Sequence, residues 1–191
     1  MNNKNTIVII AVLVALLLIF FLVFMMRSSE EGTESVLDDI NRECITAEEE
    51  KTVRGSSMSP VVEDGDVVQA LFSYYMCNEV ERGDVVLYRY SMERDPLIKS
   101  IRGLSGDSFS LSETENGWNI LINESVLETS EGDPYLLSEN RKEMLSLYER
   151  DYEGVIPDDA YLIMSNVSSG AMDSTRFGLV HKNDIVAKVF Q

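Results

Sequence analysis

The sequence predicts a mainly β domain carried behind one transmembrane helix, with a candidate stalk helix between them. Three observations carry this reading. The amino terminus holds an unbroken apolar run, an acidic polar stretch follows it, and from Val53 onward short β-branched and aromatic runs alternate with Gly-Asp and Asn-Gly turns. Setting the first 30 or so of the 191 residues aside leaves about 160, enough for one domain with a real core and too few for a second independent one.

From Ile7 to Met26 no side chain is charged or polar. Twenty helical residues span roughly 30 Å, the thickness of a bilayer's hydrocarbon. The run is longer than the apolar region of a cleaved leader, and Met25-Met26-Arg27-Ser28-Ser29 offers no small-x-small cleavage site, so residues 1–27 read as a retained anchor. Lys4 on one side against Arg27 on the other slightly favours an inside amino terminus. Residues 28–52 are acid-rich, yet Val36, Ile40, Cys44 and Ala47 recur at helical spacing. That stretch reads either as a juxtamembrane stalk helix or as a disordered acidic linker.

In the domain from 53 to 191, Val67–Phe72, Val85–Tyr90 and Leu97–Leu104 read as core strands, the first two entered through Gly65-Asp66 and Gly83-Asp84. Asn116-Gly117 marks a hairpin between Ser108–Leu111 and Trp118–Ile122. Ser138–Glu149 is the helix candidate, with Ser138 as N-cap, Arg141 and Lys142 outward, and Met144, Leu145 and Tyr148 inward. Ala160–Met164 and Ile185–Phe190 close the β region.

The net charge of −17, from 33 acidic and 16 basic side chains, argues against nucleic acid as a partner. Cys44 and Cys77 lack Cys-x-x-Cys spacing, which indicates neither a metal site nor a disulfide framework and leaves one bridge or two free thiols open. No cofactor is indicated.

The residues that suit chemistry are a serine and a lysine. Ser57 sits in the small-residue turn Gly55-Ser56-Ser57-Met58-Ser59-Pro60, whose backbone N–H groups can face a developing oxyanion. Lys99 sits in the apolar run Leu97-Ile98-Lys99-Ser100-Ile101, where burial disfavours the ammonium and lowers its pKa, with Arg102 able to add to the effect. A serine hydroxyl needs a base, and a lysine serves only when its amine is neutral. The one histidine, His181, reads as a surface residue.

Gly55-Ser-Ser-Met-Ser-Pro-Val-Val-Glu-Asp-Gly-Asp-Val-Val68 resembles the nucleophile box of bacterial type I signal peptidases. Arg82-Gly-Asp-Val-Val-Leu-Tyr88 resembles the family's next strand, Leu97-Ile-Lys-Ser-Ile-Arg-Gly-Leu-Ser-Gly-Asp107 its lysine box, and Asp173-Ser-Thr-Arg-Phe-Gly-Leu-Val180 its last box. The resemblance runs from Val53 to about Phe190 in the expected order. It implies a signal-peptidase-like β domain with a small cap insertion at about 111–157. It also implies a membrane-anchored serine endopeptidase that removes signal peptides by a Ser/Lys dyad, with Ser57 as nucleophile, Lys99 as general base and the Ser57 backbone N–H in the oxyanion hole. The implied substrates are exported preproteins with small residues at the first and third positions before the cut. The implied location is the cell membrane, single-pass, with the catalytic domain extracytoplasmic.

Several family positions are altered. The residue two before the nucleophile is Gly55, so a side-chain oxyanion donor there is absent. The serine two before the last-box aspartate, which orients the lysine, is Ala171, leaving Ser168, Ser169 and Ser174 as candidates for that task. The usual Asp-Ser-Arg is interrupted by Thr175, so Asp173 and Arg176 are the structural pair in question. The arginine that commonly follows the lysine is Ser100, and the aspartate of Gly-Asp-Asn-Arg is Asn166, a paired loss that avoids leaving one charge buried alone. Two other readings stand beside the leading one: a specialised processing peptidase for a few surface substrates, and an inactive membrane-bound β module that binds exported segments. A relation to self-cleaving repressors is excluded by the anchor and the lack of a basic helix-turn-helix.

Overall fold

The computed structural model describes residues 16–18, 21, 40–92, 95–168 and 171–190. The chain forms two units, 1–41 and 42–191. In the first, Leu16–Leu18 and Phe21 are helical and exposed. The anchor expected over 1–27 otherwise lies outside the described residues, among which no helix is long and apolar enough to cross a membrane.

The second unit contains two sheets. The larger has seven strands in the order β1 (Ala47–Thr52), β2 (Val67–Phe72), β11 (Ile185–Phe190), β3 (Val85–Tyr88), β4 (Leu97–Gly103), β9 (Ala160–Met164) and β10 (Val180–His181). The path from β4 to β9 is interrupted by a second sheet, in which β6 (Gly117–Ile122) pairs with β5 (Phe109–Thr114), β7 (Ser125–Val126) and β8 (Leu136–Leu137), and by the helix α1 (Glu139–Asp151). In the hairpin, Thr114 pairs with Gly117 at φ +140°, a backbone conformation open to glycine, and Glu115-Asn116 form the turn.

The large sheet buries residues on both faces, Leu71, Val86, Ile101 and Ile163 on one and the first core on the other. Val68 and Ala70 of β2, Leu87 of β3 and Ala187 and Val189 of β11 alternate inward and pack on Val53, Met58 and Val62. The second core joins Phe109, Ile120, Ile122 and Leu137 of the smaller sheet to Leu145 of α1 and to Leu162 and Met164 of β9. β9 therefore ties the cap to the large sheet.

The stretch expected as a stalk ends earlier than 52. Ala47–Thr52 is extended and pairs along its whole length with β2, from Ala47 opposite Phe72 to Thr52 opposite Val67. Its sequence, Ala-Glu-Glu-Glu-Lys-Thr, carries no strand propensity, and cross-strand pairing overrides that. The charges suit an edge strand, which must resist pairing with other chains. Cys44 and Cys77 form a disulfide that clamps the start of β1 to the turn after β2.

Helix α1 departs from the expected face. Leu145 is buried as expected, but neither basic residue expected outward is exposed: Lys142 is half-buried with its ammonium 3.5 Å from the Trp118 ring centroid, and Arg141 is only 5 % exposed. The short helix α2 (Ser174–Phe177) is capped by Asp173 and ends at Gly178, with φ +81°. The Tyr148 ring of α1 lies where a Gly178 side chain would be, which couples the two helices.

Candidate active site

Ser57 is presented by a loop fixed from both sides. The next residue, Met58, is fully buried in the first core, and burying such a side chain contributes about 2 kcal/mol. Gly55, at φ +88°, donates its N–H to Asp64 Oδ1 at 2.7 Å, and Ser59 N–H and Val62 N–H return to Ser56 O and Met58 O. The Ser57 carbonyl accepts from Asn166 N–H at 2.9 Å and Val167 N–H at 3.3 Å, which fastens the loop to the chain after β9. The N–H of Ser57 has no acceptor among the described residues.

Lys99 lies at the third position of β4, on its buried face, and is 3 % exposed. Its Nζ is 3.1 Å from Ser57 Oγ and 2.6 Å from Ile98 O. Burial pulls the ammonium down from its ordinary 10.5 to about 8, with the attraction of Asp173 opposing it. Arg102 takes no part, since its guanidinium donates to Glu128 O. The pair opens onto a cleft of about 480 Å3 between β1 and the chain entering β4, lined among others by Thr52, Arg54, Val68, Leu87, Pro96 and Ile98. A cavity of about 510 Å3 near Thr46, Ser73 and Arg89 lies at the other end of β1 and β2, away from the pair.

Asp173 is fully buried and densely bonded. Its Oδ2 accepts from the Tyr135 hydroxyl at 2.6 Å and from Ser165 N–H at 3.2 Å, and its Oδ1 from Thr175 N–H at 3.1 Å and Thr175 Oγ at 2.6 Å. Burial first, and then the Asp173 charge, raise the Tyr135 hydroxyl far above its ordinary value, which keeps it a donor. The cation on Asp173 is Arg141 of α1, at 3.0 Å. The same guanidinium donates to Thr175 Oγ and Ser168 O. Arg176, expected in this role, is exposed. Moving the arginine one place beyond the family spacing put it on the outer side of α2, and a cation from the cap fills the gap.

Of the candidate lysine-orienting serines, Ser174 is buried with its hydroxyl accepting from Ile163 N–H at 2.9 Å, Ser168 meets Arg141 through its carbonyl, and Ser169 lies outside the described residues. Ala171 is buried. His181 is exposed and caps the following turn through Nδ1, which accepts from Asn183 N–H. Ser100 Oγ approaches Gly83 O at 3.5 Å. Asn166 donates its amide to Ser59 O at 2.7 Å and Ser130 Oγ at 2.9 Å, and accepts from Ser130 N–H at 2.8 Å. Sequence reasoning missed Arg141, Tyr135 and the donor role of Asn166. A capped helix with a basic residue in its first turns was visible, but the carboxylate it reaches lies 32 residues on.

Two boxes are also joined. Arg82 pairs through Nη2 with both carboxylate oxygens of Asp107 at 2.8 Å, and Asp107 accepts from Leu104 N–H and Asn123 Nδ2 as well. Burial pushes the Asp107 carboxyl up, but these hydrogen bonds outweigh it and hold it below its usual range.

Residues 43–191 match the family model described as signal peptidase, peptidase S26. Signal peptidase IB of Staphylococcus aureus strain Mu50 is 27 % identical over 150 residues, covering 72 % of this chain and 73 % of that protein. Signal peptidase I of Bacillus licheniformis is 28 % identical over 138 residues, covering 70 % and 69 %. A crystal structure of a signal peptidase I from Enterococcus faecalis V583 superposes with a TM-score of 0.41 at 16 % identity, covering 58 % of this chain and 97 % of that one, a likeness too loose to argue from. With most of the chain matched by the family model, the protein belongs to the signal peptidase family, peptidase S26, and is a serine endopeptidase of the type I signal peptidase kind.

Proposed function

We propose that Ser57 and Lys99 form the catalytic dyad that cuts signal peptides from exported preproteins. The observation that carries this is the 3.1 Å separation of Lys99 Nζ and Ser57 Oγ, on a lysine whose ammonium burial lowers from 10.5 to about 8, so that the neutral amine is populated near that pH. The neutral amine takes the Ser57 proton as Oγ attacks the scissile carbonyl carbon. The Ser57 N–H faces the oxygen on which negative charge develops. As the tetrahedral intermediate collapses, the Lys99 ammonium returns the proton to the leaving amine, which becomes the new amino terminus of the mature protein. An ester remains on Ser57, and water deprotonated by Lys99 hydrolyses it.

The substrate enters the cleft as an extended strand. β1 is an edge strand, and β4 pairs with β9 only from Ser100 onward, so the backbone on both sides of the cleft is open to strand addition. Val68 and Leu87 are buried and Ile98 is half-buried at the cleft, giving shallow apolar floors that suit small side chains at the first and third positions before the cut. Residues 1–27 hold the enzyme in the cell membrane, with the catalytic domain on the extracytoplasmic side where the scissile bond arrives.

The test uses the full chain in detergent with a preprotein bearing a small-x-small site, comparing wild type with Ser57→Ala and Lys99→Ala. Cleavage by the wild type alone supports the dyad. Equal cleavage by Lys99→Ala removes the lysine from the mechanism. Failure on a generic preprotein, together with cleavage of a surface protein from the same cell, redirects the reading to a specialised processing peptidase.

A further inference from the structure

A neutral lysine amine has one lone pair and two N–H bonds. If the lone pair of Lys99 accepts from the Ser57 hydroxyl and one N–H donates to Ile98 O, one N–H is left, and no other partner stands among the described residues. Nearby is a hydroxyl with the complementary deficit. Ser165 is 1 % exposed, and its Oγ is buried with no hydrogen-bond partner among the described residues. A buried hydroxyl left unsatisfied costs on the order of 1–3 kcal/mol, so such groups call for an explanation.

The register brings the two together. Ser100 pairs with Met164 across the antiparallel β4–β9 ladder, so the next step sets Lys99 opposite Ser165. Side chains directly opposite in an antiparallel pair share a face. Ser165 N–H is held by Asp173, the carboxylate that also acts on Lys99. Asn166, the next residue, donates its N–H to the Ser57 carbonyl, which keeps the end of β9 against the nucleophile.

We propose that Ser165 is the positioning residue for Lys99, its Oγ accepting the amine N–H that Ile98 leaves free and so aiming the lone pair at Ser57. The proposal rests on the dyad reading and adds to it the serine that directly follows β9, which none of Ser168, Ser169 or Ser174 represents. The proposed bond requires the hydroxyl to turn toward the amine of the residue opposite it.

A hydroxyl that accepts from the amine also favours the ammonium, because it bonds the charged form at least as well. Ser165→Ala is therefore expected to lower kcat on the order of 10- to 100-fold through loss of aim, with KM unchanged. It is also expected to move the acidic limb of the kcat profile to lower pH. A purely structural serine predicts neither effect, since removing an unsatisfied hydroxyl leaves the fold as stable or more so. Ser165→Thr and Ser165→Val, which have the same shape and differ only in the hydroxyl, settle the matter even if the alanine variant folds poorly. Threonine is expected to keep the wild-type limb and most of kcat, and valine to behave as alanine. Equal kcat and equal limbs for threonine and valine overturn the proposal, as does a limb that moves to higher pH in Ser165→Ala. Ser57→Ala and Lys99→Ala run alongside: if either still cleaves, the dyad reading fails, whereas if both are inactive and Ser165→Ala matches wild type, only the role of Ser165 fails.

Discussion

Replacing Lys99 by methionine keeps the length of the side chain and removes its charge, and its effect on stability can be worked out from the burial of the amine. Burial, opposed by Asp173, brings the ammonium from 10.5 to about 8. Below about pH 8 the amine is protonated both folded and unfolded, and the folded state carries the full cost of a dry ammonium, about 3 kcal/mol. Between about 8 and 10.5 only the unfolded chain holds the proton, so the cost shrinks as pH rises, and above that range it vanishes. Lys99 thus destabilises the fold most at neutral and acidic pH. Lys99→Met removes that cost and forfeits the hydrogen bond to Ile98 O, roughly 1 kcal/mol at any pH. Urea unfolding of both full-length chains in one detergent should show the variant more stable by about 2 kcal/mol at pH 7. The difference should fall by about 3 kcal/mol on going to pH 10.5, while cleavage is absent throughout. A difference that does not change between the two pH values would refute the reasoning, because it would mean that the amine titrates in the fold as it does in water.

On the proposed dyad, wild-type kcat/KM should rise about tenfold per pH unit below pH 8 and level off above it, measured on a preprotein whose own groups do not titrate there. Arg141→Met leaves Asp173 fully buried without its cation and should cost about 3–5 kcal/mol in urea unfolding. Arg141→Lys should recover only part of this, since a single ammonium cannot reach Asp173, Thr175 and Ser168 together, and exposed Arg176→Ala should stay within about 0.5 kcal/mol of wild type. Asn166→Asp replaces the donor to Ser59 O by a carboxylate facing a carbonyl, and should lower kcat with loss of about 1–3 kcal/mol of stability. Adding Ser100→Arg should restore part of both, and a double variant as damaged as Asn166→Asp alone would show that the two positions are uncoupled.

How much could be read in advance follows from where each partner lies along the chain. β2, β3, β4 and β6 were legible because their apolar residues alternate where one face is buried, or run together where both are, between Gly-Asp and Asn-Gly turns. β1 was not, since its Glu-Glu-Glu-Lys core gives no alternation and owes its extended form to β2, where Glu49 lies opposite Ala70, 21 residues on. The reading of Lys99 needed only its apolar neighbours. That Ser165 comes opposite Lys99 depends on the β4–β9 register, which local pattern does not reveal.

Arg141 shows why the altered last box does not leave the site unsupported. A carboxylate as deeply buried as Asp173 calls for a close cation and several donors. When the chain after Asp173 turns Arg176 outward, the cation has to come from another element. The element available is α1, which is packed on β9 through Leu145 and on α2 through Tyr148 and Gly178. The guanidinium that satisfies Asp173 also holds Ser168 O, at the end of the segment whose Asn166 and Val167 N–H groups grip the Ser57 carbonyl. The helix α1 is therefore joined, through one ion pair and a short run of backbone, to the placement of Ser57. A substitution in α1 that displaces Arg141 should reach the cleavage rate without touching the cleft, because the residues it loosens are those that hold Ser57 within 3.1 Å of Lys99.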